Sequence, residues 1–257
     1  MLVFATLTPS SIQIIPLAGL PEIAQGDNLA QLLVEAVQRQ RAVLKSGNVF
    51  VVAQKIVSKA EGRIVRLDSI QPSGRAERWA AEHQKDARVI ELVLREASTI
   101  VRMERGVIIA KTRHGFVCAN SGVDVSNVSN GTASLLPENP DRSAAKLQQE
   151  LTGAFGVHLA VIICDTFGRP WREGLVNVAL GVAGMKPLVD YRGQRDEHGK
   201  ELHATVIALA DELAAASGLV MGKLDRIPAA IVQGMAIPEG TGSGAELIRP
   251  KEKDLFP

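Results

Sequence analysis

The sequence predicts an α+β fold of mixed β-sheets with packed helices, rather than a Rossmann or P-loop fold. Strand-like and helix-like segments follow one another without the strict βαβ alternation of a doubly wound sheet. No G-x-x-x-x-G-K-S/T segment occurs, and the G-x-G-x-G stretch 240–244 follows Pro238 and Glu239 instead of a strand. The chain shows no internal repeat and no convincing linker. These observations predict a single intertwined globule over residues 1–257.

The first half of the chain predicts an alternation of strands and helices. Residues 12–17 form a short strand, and apolar positions recur with helical spacing from Leu29 until Gly47 ends the helix. Further strands are predicted at 49–53 and 62–67, and helices at 74–84 and 86–97. Arg-Gly and His-Gly turn signals then separate three strands, at 99–103, 107–111 and 116–120.

The second half is less regular. A glycine-rich polar loop at 121–134 leads to a helix that Asp141 or Ser143 caps and that ends near Phe155. The apolar run 159–164 predicts a fully buried strand, whereas 177–185 fits either a helix or a loop of small residues. We further predict a loop at 192–201, a helix at 203–219, a strand at 229–233 and a flexible loop at 238–244.

The composition is that of an ordinary soluble globular protein. Of 257 residues, 46% are hydrophobic, 22% charged and 4% aromatic, which fits neither a disordered nor a membrane-spanning chain. The net charge of +1 gives no support for a general nucleic-acid or membrane surface. The first eleven residues lack a basic region, which argues against a signal peptide and predicts a cytoplasmic protein. Cys118 and Cys164 lack zinc-ligand spacing and are predicted to be core residues in a reducing compartment.

Acidic, hydroxyl and guanidinium groups directly follow the buried strand 159–164. Asp165 and Thr166 come first, and Arg169 and Arg172 follow in a stretch that glycine and proline mark as a turn. Oxygen ligands suit a hard divalent cation and arginine suits phosphate, so the stretch predicts metal-assisted phosphate chemistry. Because neighbouring side chains of a strand point to opposite faces, Asp165 and Thr166 reach one site only if the chain turns there. The alternative is an Asp165 that merely begins a turn or caps a helix.

Asp124 is a second acidic candidate, since it also follows a predicted buried strand, 116–120. Two acids at the ends of two core strands would share a metal ion if the strands are neighbours, which the sequence does not reveal. The alternative is an Asx-turn at Asp124 with Asn127 as a helix cap.

Lys55 and Lys59 lie on one side of the segment 54–63, whether this segment is a strand or a helix. Lysine binds phosphate as a compact charge without demanding bidentate geometry. The alternative is an ordinary solvated face.

Six ordered segments resemble the successive signatures of the coenzyme F420-0:L-glutamate ligase family. They are 54–63, 120–127, 165–172, Asp190-Tyr191-Arg192-Gly193, Ala210-Asp211-Glu212-Leu213 and 219–223. The likeness runs in order from about Ile15 to Phe256, and six ordered motifs are more specific than any one of them. It implies a two-lobed α+β fold, an intertwined homodimer, and one ligase domain over 1–257 without the nitroreductase-like second domain of some relatives.

The resemblance also implies a reaction. Family members add L-glutamate by an amide bond to the phospholactyl arm of the deazaflavin coenzyme F420-0, and then add further glutamates through γ-linkages. GTP donates the phosphoryl group that makes the acceptor carboxylate an acyl phosphate, and Mg²⁺ or Mn²⁺ is required. K⁺ is a further cofactor that the resemblance allows. The implied partners are F420-0, L-glutamate and GTP, with neither nucleic acid nor a membrane.

Residue by residue, the resemblance implies that Asp124 and Asp165 hold one metal ion and Thr166 a second, with Asp124, Asp165 and Lys59 acting in catalysis. It implies a GTP site formed by Leu20, Pro21, Glu22, Ile23, Gln54, Lys55, Lys59, Asn127, Met221, Gly222 and Lys223. Some relatives place an acidic second-metal ligand where this chain has Lys223. Either the second ion is held differently here, or Lys223 sets its own charge against the phosphates.

Three other functions stay open at this point. A related nucleotide-dependent amide ligase would act on another acid. A metal-dependent phosphohydrolase would release phosphate without glutamate or coenzyme. A ligand-binding protein would show no turnover.

Overall fold

The computed structural model describes residues 11–254, so most of the amino-terminal stretch that argues against a signal peptide lies outside the described residues. The elements up to the middle of the chain are β1 (Gln13–Pro16), α1 (Leu29–Arg39), β2 (Asn48–Ala53), α2 (Gln54–Ala60), β3 (Ile64–Arg66), α3 (Gly74–His83), α4 (Ala87–Glu96), β4 (Ala97–Glu104), β5 (Val107–Thr112) and β6 (Val117–Ala119). They are followed by β7 (Thr132–Ser134), α5 (Pro140–Phe155), β8 (Leu159–Arg169), β9 (Arg172–Ala183), β10 (Val189–Asp190), β11 (Val206–Ile207), α6 (Leu209–Met221) and β12 (Ala229–Gln233). No helix within residues 11–254 is long and apolar enough to cross a bilayer.

A five-stranded sheet with the strand order β1-β12-β2-β8-β9 forms the centre of the molecule. Its middle pair, β2 and β8, is parallel, and the other neighbours in this sheet are antiparallel. β2 and the first six residues of β8 read as apolar, buried runs, as strands covered on both faces do. A largely antiparallel sheet with packed helices confirms the predicted α+β class.

Helices cover both faces of this sheet. α1, α2 and α5 pack on one face, where Leu33 of α1 and Leu151 of α5 belong to the same buried cluster as Phe50 of β2. α6 packs on the opposite face, where Leu213 contributes to a cluster with Ile162 of β8. Apolar side chains at helical spacing on each of these helices remove the sheet from water, which is the main source of its stability.

A second lobe is inserted between α2 and α5. It comprises residues 64–134, which supply α3, α4, the three-stranded sheet β4-β5-β6 and the pair β3-β7. Trp79, Ile90 and Ile108 lie in its separate hydrophobic core. The first lobe is therefore built from segments on both sides of the insertion, as a two-lobed, intertwined globule requires.

Several predicted elements differ from the structure in type or extent. α1 ends at Arg39 rather than near Gly47, because Arg41 takes a positive φ of 53° that no helix continues. Residues predicted as helix or loop at 177–185 lie mostly in β9, whose small side chains fit beneath α5. The helix predicted at 203–219 begins at Leu209, because β11 first pairs with β10.

The strand predicted at 159–164 does not stop at Cys164. β8 continues to Arg169 and forms a long antiparallel ribbon with β9, which turns at Pro170 and Trp171. The turn predicted at Asp165 and Thr166 is therefore wrong, as is the alternative that Asp165 begins a turn or caps a helix. The pairing energy of β9 outweighs the local turn signal of Gly168.

Gly181 of β9 is expected to tolerate no side chain. A Cβ at this position would lie 2.2 Å from the backbone oxygen of Pro140, which begins α5. Gly181→Ala is therefore expected to lower the free energy of unfolding by about 3 kcal/mol, measured by thermal or urea unfolding followed by circular dichroism. Gly153→Ala in α5 is the control, because its Cβ would meet nothing within 4 Å. Equal stability of the two variants would contradict this packing of β9 on α5.

Candidate active site

The site lies where the central parallel pair ends. β2 stops at Ala53, opposite Cys164, while β8 runs on to Arg169. The carboxyl ends of parallel neighbours meet at one edge of a sheet, which brings the start of α2 next to Asp165. Beyond Cys164, the edge of β8 that faced β2 has no strand partner within residues 11–254. The side of residues 165–169 that faces away from β9 is called the open edge of β8 below.

A cavity of about 1010 Å³ opens at this edge, and all the residues that the family resemblance assigns to the site line it. They are Leu20, Pro21, Glu22, Ile23, Gln54, Lys55, Lys59, Asn127, Met221, Gly222 and Lys223, together with Asp124, Asp165 and Thr166. The second lobe contributes Asp124 and Asn127. The other residues come from the two segments of the first lobe that precede and follow the insertion. The structure therefore brings these residues together, and the roles assigned to them stay predictions. The expectation that Asp165 and Thr166 share a site only if the chain turns is wrong, because the cavity lies at the edge of β8 and residues from both faces of the strand line it.

α2 presents its two lysines to the cavity. The spacing i, i+4 places Lys55 and Lys59 on one helix face, and their side chains are 18% and 13% exposed. The segment is thus a helix, and the alternative of a solvated face is wrong. Gln54, at the start of α2, is buried, and its side-chain oxygen accepts a hydrogen bond from Ser58 Oγ at 2.8 Å.

Asp124 connects the two lobes. Its Oδ1 accepts the Ser126 N–H at 2.7 Å, so the Asx-turn is present, but no helix begins at Asn127. Its Oδ2 accepts hydrogen bonds from Lys55 Nζ at 2.6 Å and from Ser126 Oγ at 2.9 Å. Burial alone would raise the pKa of Asp124, but the hydrogen bonds from Lys55 and Ser126 outweigh it and hold the pKa below the ordinary value. Asp124 is therefore an ionised carboxylate that is already paired.

Asp165 is in the opposite electrostatic situation. Burial raises its pKa to about 6; the backbone N–H of Thr166 opposes this rise, and the charge of Asp124 adds to it. The ammonium groups of Lys223 and Lys55 also lower the pKa, but they do not restore the ordinary value. An under-compensated carboxylate next to a paired one, in a cavity, is a typical arrangement of functional sites.

Thr166 lies between an amide and an ammonium group. Its Oγ1 donates a hydrogen bond to Asn177 Oδ1 at 2.8 Å and accepts one from Lys223 Nζ. Lys223 reaches this position because α6 ends at Met221 and its C-cap, Gly222, turns the chain sharply with a φ of 59° and a ψ of −161°. A residue with a side chain rarely adopts these backbone angles, so the turn favours glycine.

The end of the cavity nearest β2, called the β2 end below, combines apolar walls with cations. Lys59 forms an ion pair with Glu22, and Arg226 Nη2 lies 4.0 Å from the other oxygen of the same carboxylate. The Ala53 N–H donates to the Pro228 carbonyl at 2.8 Å, which fixes the segment after α6 against the end of β2. An apolar wall with two cationic groups suits the base and phosphates of a nucleotide.

Arg169 and Arg172 were predicted to contact phosphate, and the structure places them outside the lining of this cavity. Arg169 Nη2 instead donates to the Glu173 carbonyl at 2.8 Å near the end of the ribbon, because β8 extends further than predicted. Sequence reasoning also missed Ser126, Asn177 and Arg226. The Asp-x-Ser spacing of an Asx-turn would have indicated Ser126, whereas Asn177 required the pairing of β9 opposite Thr166.

The two cysteines lie in the buried core, and Cys164 also lines the cavity. Both are buried and unpaired with each other. Burial raises the pKa of each thiol to about 12, and the charge of Asp165 adds to the rise. Thiols in this state are neither nucleophiles nor metal ligands, which agrees with their predicted place in the core.

The donor set at the centre of the cavity fits a hard divalent cation only in part. No cluster of three or more His, Cys, Asp or Glu side chains within residues 11–254 is placed to hold a metal ion. Asp124, Asp165 and Thr166 supply oxygen atoms alone, which suits Mg²⁺ or Mn²⁺ bound mainly through substrate phosphates and water. The raised pKa of Asp165 indicates a carboxylate whose negative charge a cation would compensate. Thr166 Oγ1 already accepts a hydrogen bond from Lys223 Nζ.

Comparison with known proteins places the chain in a family. The profile of the F420-0:Gamma-glutamyl ligase family matches residues 19–234. A coenzyme F420:L-glutamate ligase from Methanothermobacter thermautotrophicus is 46% identical over 250 residues, covering 95% of this chain and 98% of the relative. Proteins of the same name from Methanopyrus kandleri and Archaeoglobus fulgidus are 45% and 40% identical, covering 91% and 95% of this chain and 93% and 96% of the relatives. The chain belongs to the F420-0:gamma-glutamyl ligase family.

Proposed function

We propose that this protein is a GTP-dependent ligase that joins L-glutamate to coenzyme F420-0 through an amide bond and then adds γ-linked glutamates. The observation that carries the proposal is the meeting of the predicted nucleotide-binding and metal-binding residues in one cavity at the end of β2 and β8. The names of the relatives support the substrates, coenzyme F420 and L-glutamate. The lysines and Arg226 in the cavity support binding of several anions by a protein whose net charge is only +1.

GTP is assigned to the β2 end of the cavity. Leu20, Pro21 and Ile23 would contact the base or ribose, and Lys59 would exchange Glu22 for phosphate oxygens. Lys55 and Lys223 lie beside Asp124 and Thr166, where their charges would face the γ-phosphate.

A divalent cation is assigned to Asp124 and Asp165, with Thr166 nearby. Such an ion neutralises charge on the phosphate oxygens when bound. Asp124 and Asp165 line the same cavity, and the charge of Asp124 acts on Asp165. Lys55 keeps the Asp124 carboxylate oriented through its 2.6 Å hydrogen bond. Asp165 is only partly exposed, so its negative charge is poorly solvated and is repelled by Asp124. Binding a cation there would relieve this unfavourable interaction.

The proposed reaction has two steps. An oxygen of the acceptor carboxylate attacks the γ-phosphorus of GTP, and the bond from that phosphorus to the bridging oxygen breaks, which gives an acyl phosphate and GDP. The amine of L-glutamate then attacks the acyl carbon, phosphate leaves with the carbon–oxygen electron pair, and the amine loses one proton. Positioning and charge neutralisation by the cavity residues supply the catalysis.

Incubation of the protein with F420-0, L-glutamate, GTP and Mn²⁺ tests the proposal. We expect one glutamyl mass increment on the coenzyme per GDP released, measured by mass spectrometry and nucleotide chromatography. Omission of either the coenzyme or glutamate is expected to abolish product. GDP formation with another acid would indicate a different amide ligase, and phosphate release from GTP alone would indicate a phosphohydrolase.

We also propose that the chain forms a homodimer. The β4-β5-β6 sheet exposes Val101, Val107 and Val117, which are 53%, 48% and 55% accessible to solvent. A solvated sheet face seldom carries several large apolar side chains without a partner. Light scattering coupled to size exclusion is expected to give twice the chain mass of 27.4 kDa, and a monomer at micromolar concentration would refute this proposal.

A further inference from the structure

We infer that the open edge of β8, together with Leu175 of β9, binds the acceptor coenzyme, with the reacting carboxylate beside Thr166 and the arm of the molecule passing over Gly168 and Leu175. This inference rests on the proposed function. It concerns the part of the cavity that none of the predicted nucleotide-binding or metal-binding residues occupies. Phe167, Gly168 and Leu175 line this part, called the ribbon end below.

The cavity has two ends that are built from different segments. The β2 end is held together by contacts among its own members, Glu22 with Lys59 and Ala53 with Pro228. The ribbon end is formed by β8 and β9, which run away from the end of β2. Asp165 and Thr166 lie between the two ends, because they are the first residues of β8 beyond the last pair with β2. A ligase that phosphorylates a carboxylate needs donor and acceptor on opposite sides of the reacting phosphate.

The ribbon end presents Gly168 and the exposed side chain of Leu175 next to Thr166. Thr166 pairs with Asn177 and Gly168 with Leu175, so these four residues share one face of the ribbon. Gly168 leaves that face without a side chain, and Leu175, 65% exposed, reaches towards it. Gly168 lies two residues beyond Thr166, or about 7 Å along the strand. An acid whose carboxylate lies beside Thr166 therefore extends its arm over Gly168 and along Leu175.

Two further features suit an elongated acceptor. The open edge of β8 leaves backbone N–H and C=O groups that no strand pairs within residues 11–254, and the phosphoryl and hydroxyl groups of an extended arm can bond to them. Phe167 lines the cavity and contacts Phe116 of the second lobe in a T-shaped arrangement, with ring centroids 6.5 Å apart. This contact holds the wall of the ribbon end rigid against the second lobe.

Gly168 gives a sharp test, because a side chain there would fill the cavity without disturbing the protein. A Cβ at Gly168 would meet Leu175 Cδ2 at 3.7 Å, an ordinary contact, and no other atom within 4 Å. Gly168→Ala and Gly168→Val are therefore expected to fold, with the larger side chain blocking more of the acceptor path. Gly153→Ala on α5, outside the cavity, is the matched control.

The experiment measures acceptor binding and nucleotide binding separately in each variant. Binding of F420-0 is followed through the fluorescence of its own deazaflavin, binding of GDP with Mn²⁺ by calorimetry, and KM for F420-0 in the ligase assay. We expect Gly168→Val to weaken F420-0 binding and raise KM at least about tenfold, Gly168→Ala to have a smaller effect, and GDP affinity to change less than twofold in both.

Two other outcomes overturn the inference. Unchanged F420-0 binding in Gly168→Val would show that the acceptor lies elsewhere, and an equal loss of GDP binding would show that the ribbon end belongs to the nucleotide. If Gly168→Val does not fold, the Gly168→Ala measurements alone decide between these outcomes. A third outcome concerns the proposed function. If Gly168→Val weakens F420-0 binding but the wild-type protein forms no glutamyl product, the proposed function is refuted and this inference stands.

Discussion

Asp165→Asn is expected to reduce the rate of glutamate ligation on the order of 1,000-fold while making the metal-free protein more stable. The asparagine keeps the shape of the side chain and removes the charge that the proposed cation requires. The loss should appear in kcat, measured by glutamyl product per unit time at saturating GTP, because the affected interaction forms with the phosphate that reacts. A variant with wild-type kcat would show that Asp165 has no role in catalysis.

The stability gain follows from the pKa of Asp165. Its carboxyl has a pKa of about 6 in the folded protein against 3.8 in the unfolded chain, so the folded state binds the proton more tightly. The stabilising effect of that proton is full below pH 3.8 and is lost as the pH rises through 6. At pH 7 the buried charge therefore costs as much as about 3 kcal/mol, which the asparagine removes.

Urea unfolding at pH 7 and pH 4 measures this effect in the presence of a chelator. We expect the difference in unfolding free energy between Asp165→Asn and wild type to shrink as the pH falls. A difference that grows towards pH 4 would have the wrong sign and would contradict the raised pKa. Asp196→Asn, in the exposed loop after β10, is the control and is expected to leave the ligation rate unchanged.

Lys55→Met is expected to reduce both ligation and the coupling between the two lobes. The ammonium group donates to Asp124 Oδ2, to the Ser126 carbonyl at 2.7 Å and to Ser126 Oγ at 3.1 Å. Methionine keeps the length of the side chain but leaves Asp124 with one partner fewer. We expect about a 100-fold loss of ligation and a loss of about 2 kcal/mol in unfolding free energy at pH 7.

The pH dependence of Lys55→Met is the reverse of that of Asp165→Asn. The pKa of Asp124 is lowered in the folded protein, so its contribution to stability is present above pH 3.8 and is lost as the pH falls below this value. The stability deficit of Lys55→Met should therefore disappear in acid. Lys200→Met, in the exposed loop between β10 and β11, is the control that separates loss of this contact from loss of a positive charge. Equal deficits in the two variants would contradict the role given to Lys55.

Part of the cavity lining could be predicted from the sequence through its family resemblance, whereas Ser126, Asn177 and Arg226 and the mutual geometry of the lining residues could not. Buried runs such as 49–53 and 159–164 identify the two central strands, because a strand covered on both faces reads as apolar throughout. The length of β8 depends on its pairing with β9, in which partner residues lie up to 22 positions apart in sequence, as in the pair Val161 and Ala183. The local turn signal at Gly168 contains no information about this pairing, so the strand was predicted too short. The contacts of Asp124 with Lys55 and of Thr166 with Lys223 join residues far apart in sequence, and no single segment encodes them.

The inserted second lobe also has a consequence for how the chain folds. Val49 of β2 pairs with Ala160 of β8, so the parallel pair at the centre closes a long loop in the unfolded chain. The Leu135 N–H donates to the Arg63 carbonyl at 2.9 Å, so the two ends of the insertion are adjacent once that lobe is folded. A lobe that has already folded shortens the effective loop between β2 and β8 and lowers the entropy lost on pairing them. The insertion that delivers Asp124 to the cavity therefore lengthens the loop between β2 and β8 in sequence, and its own folding offsets part of the entropy lost when these strands pair.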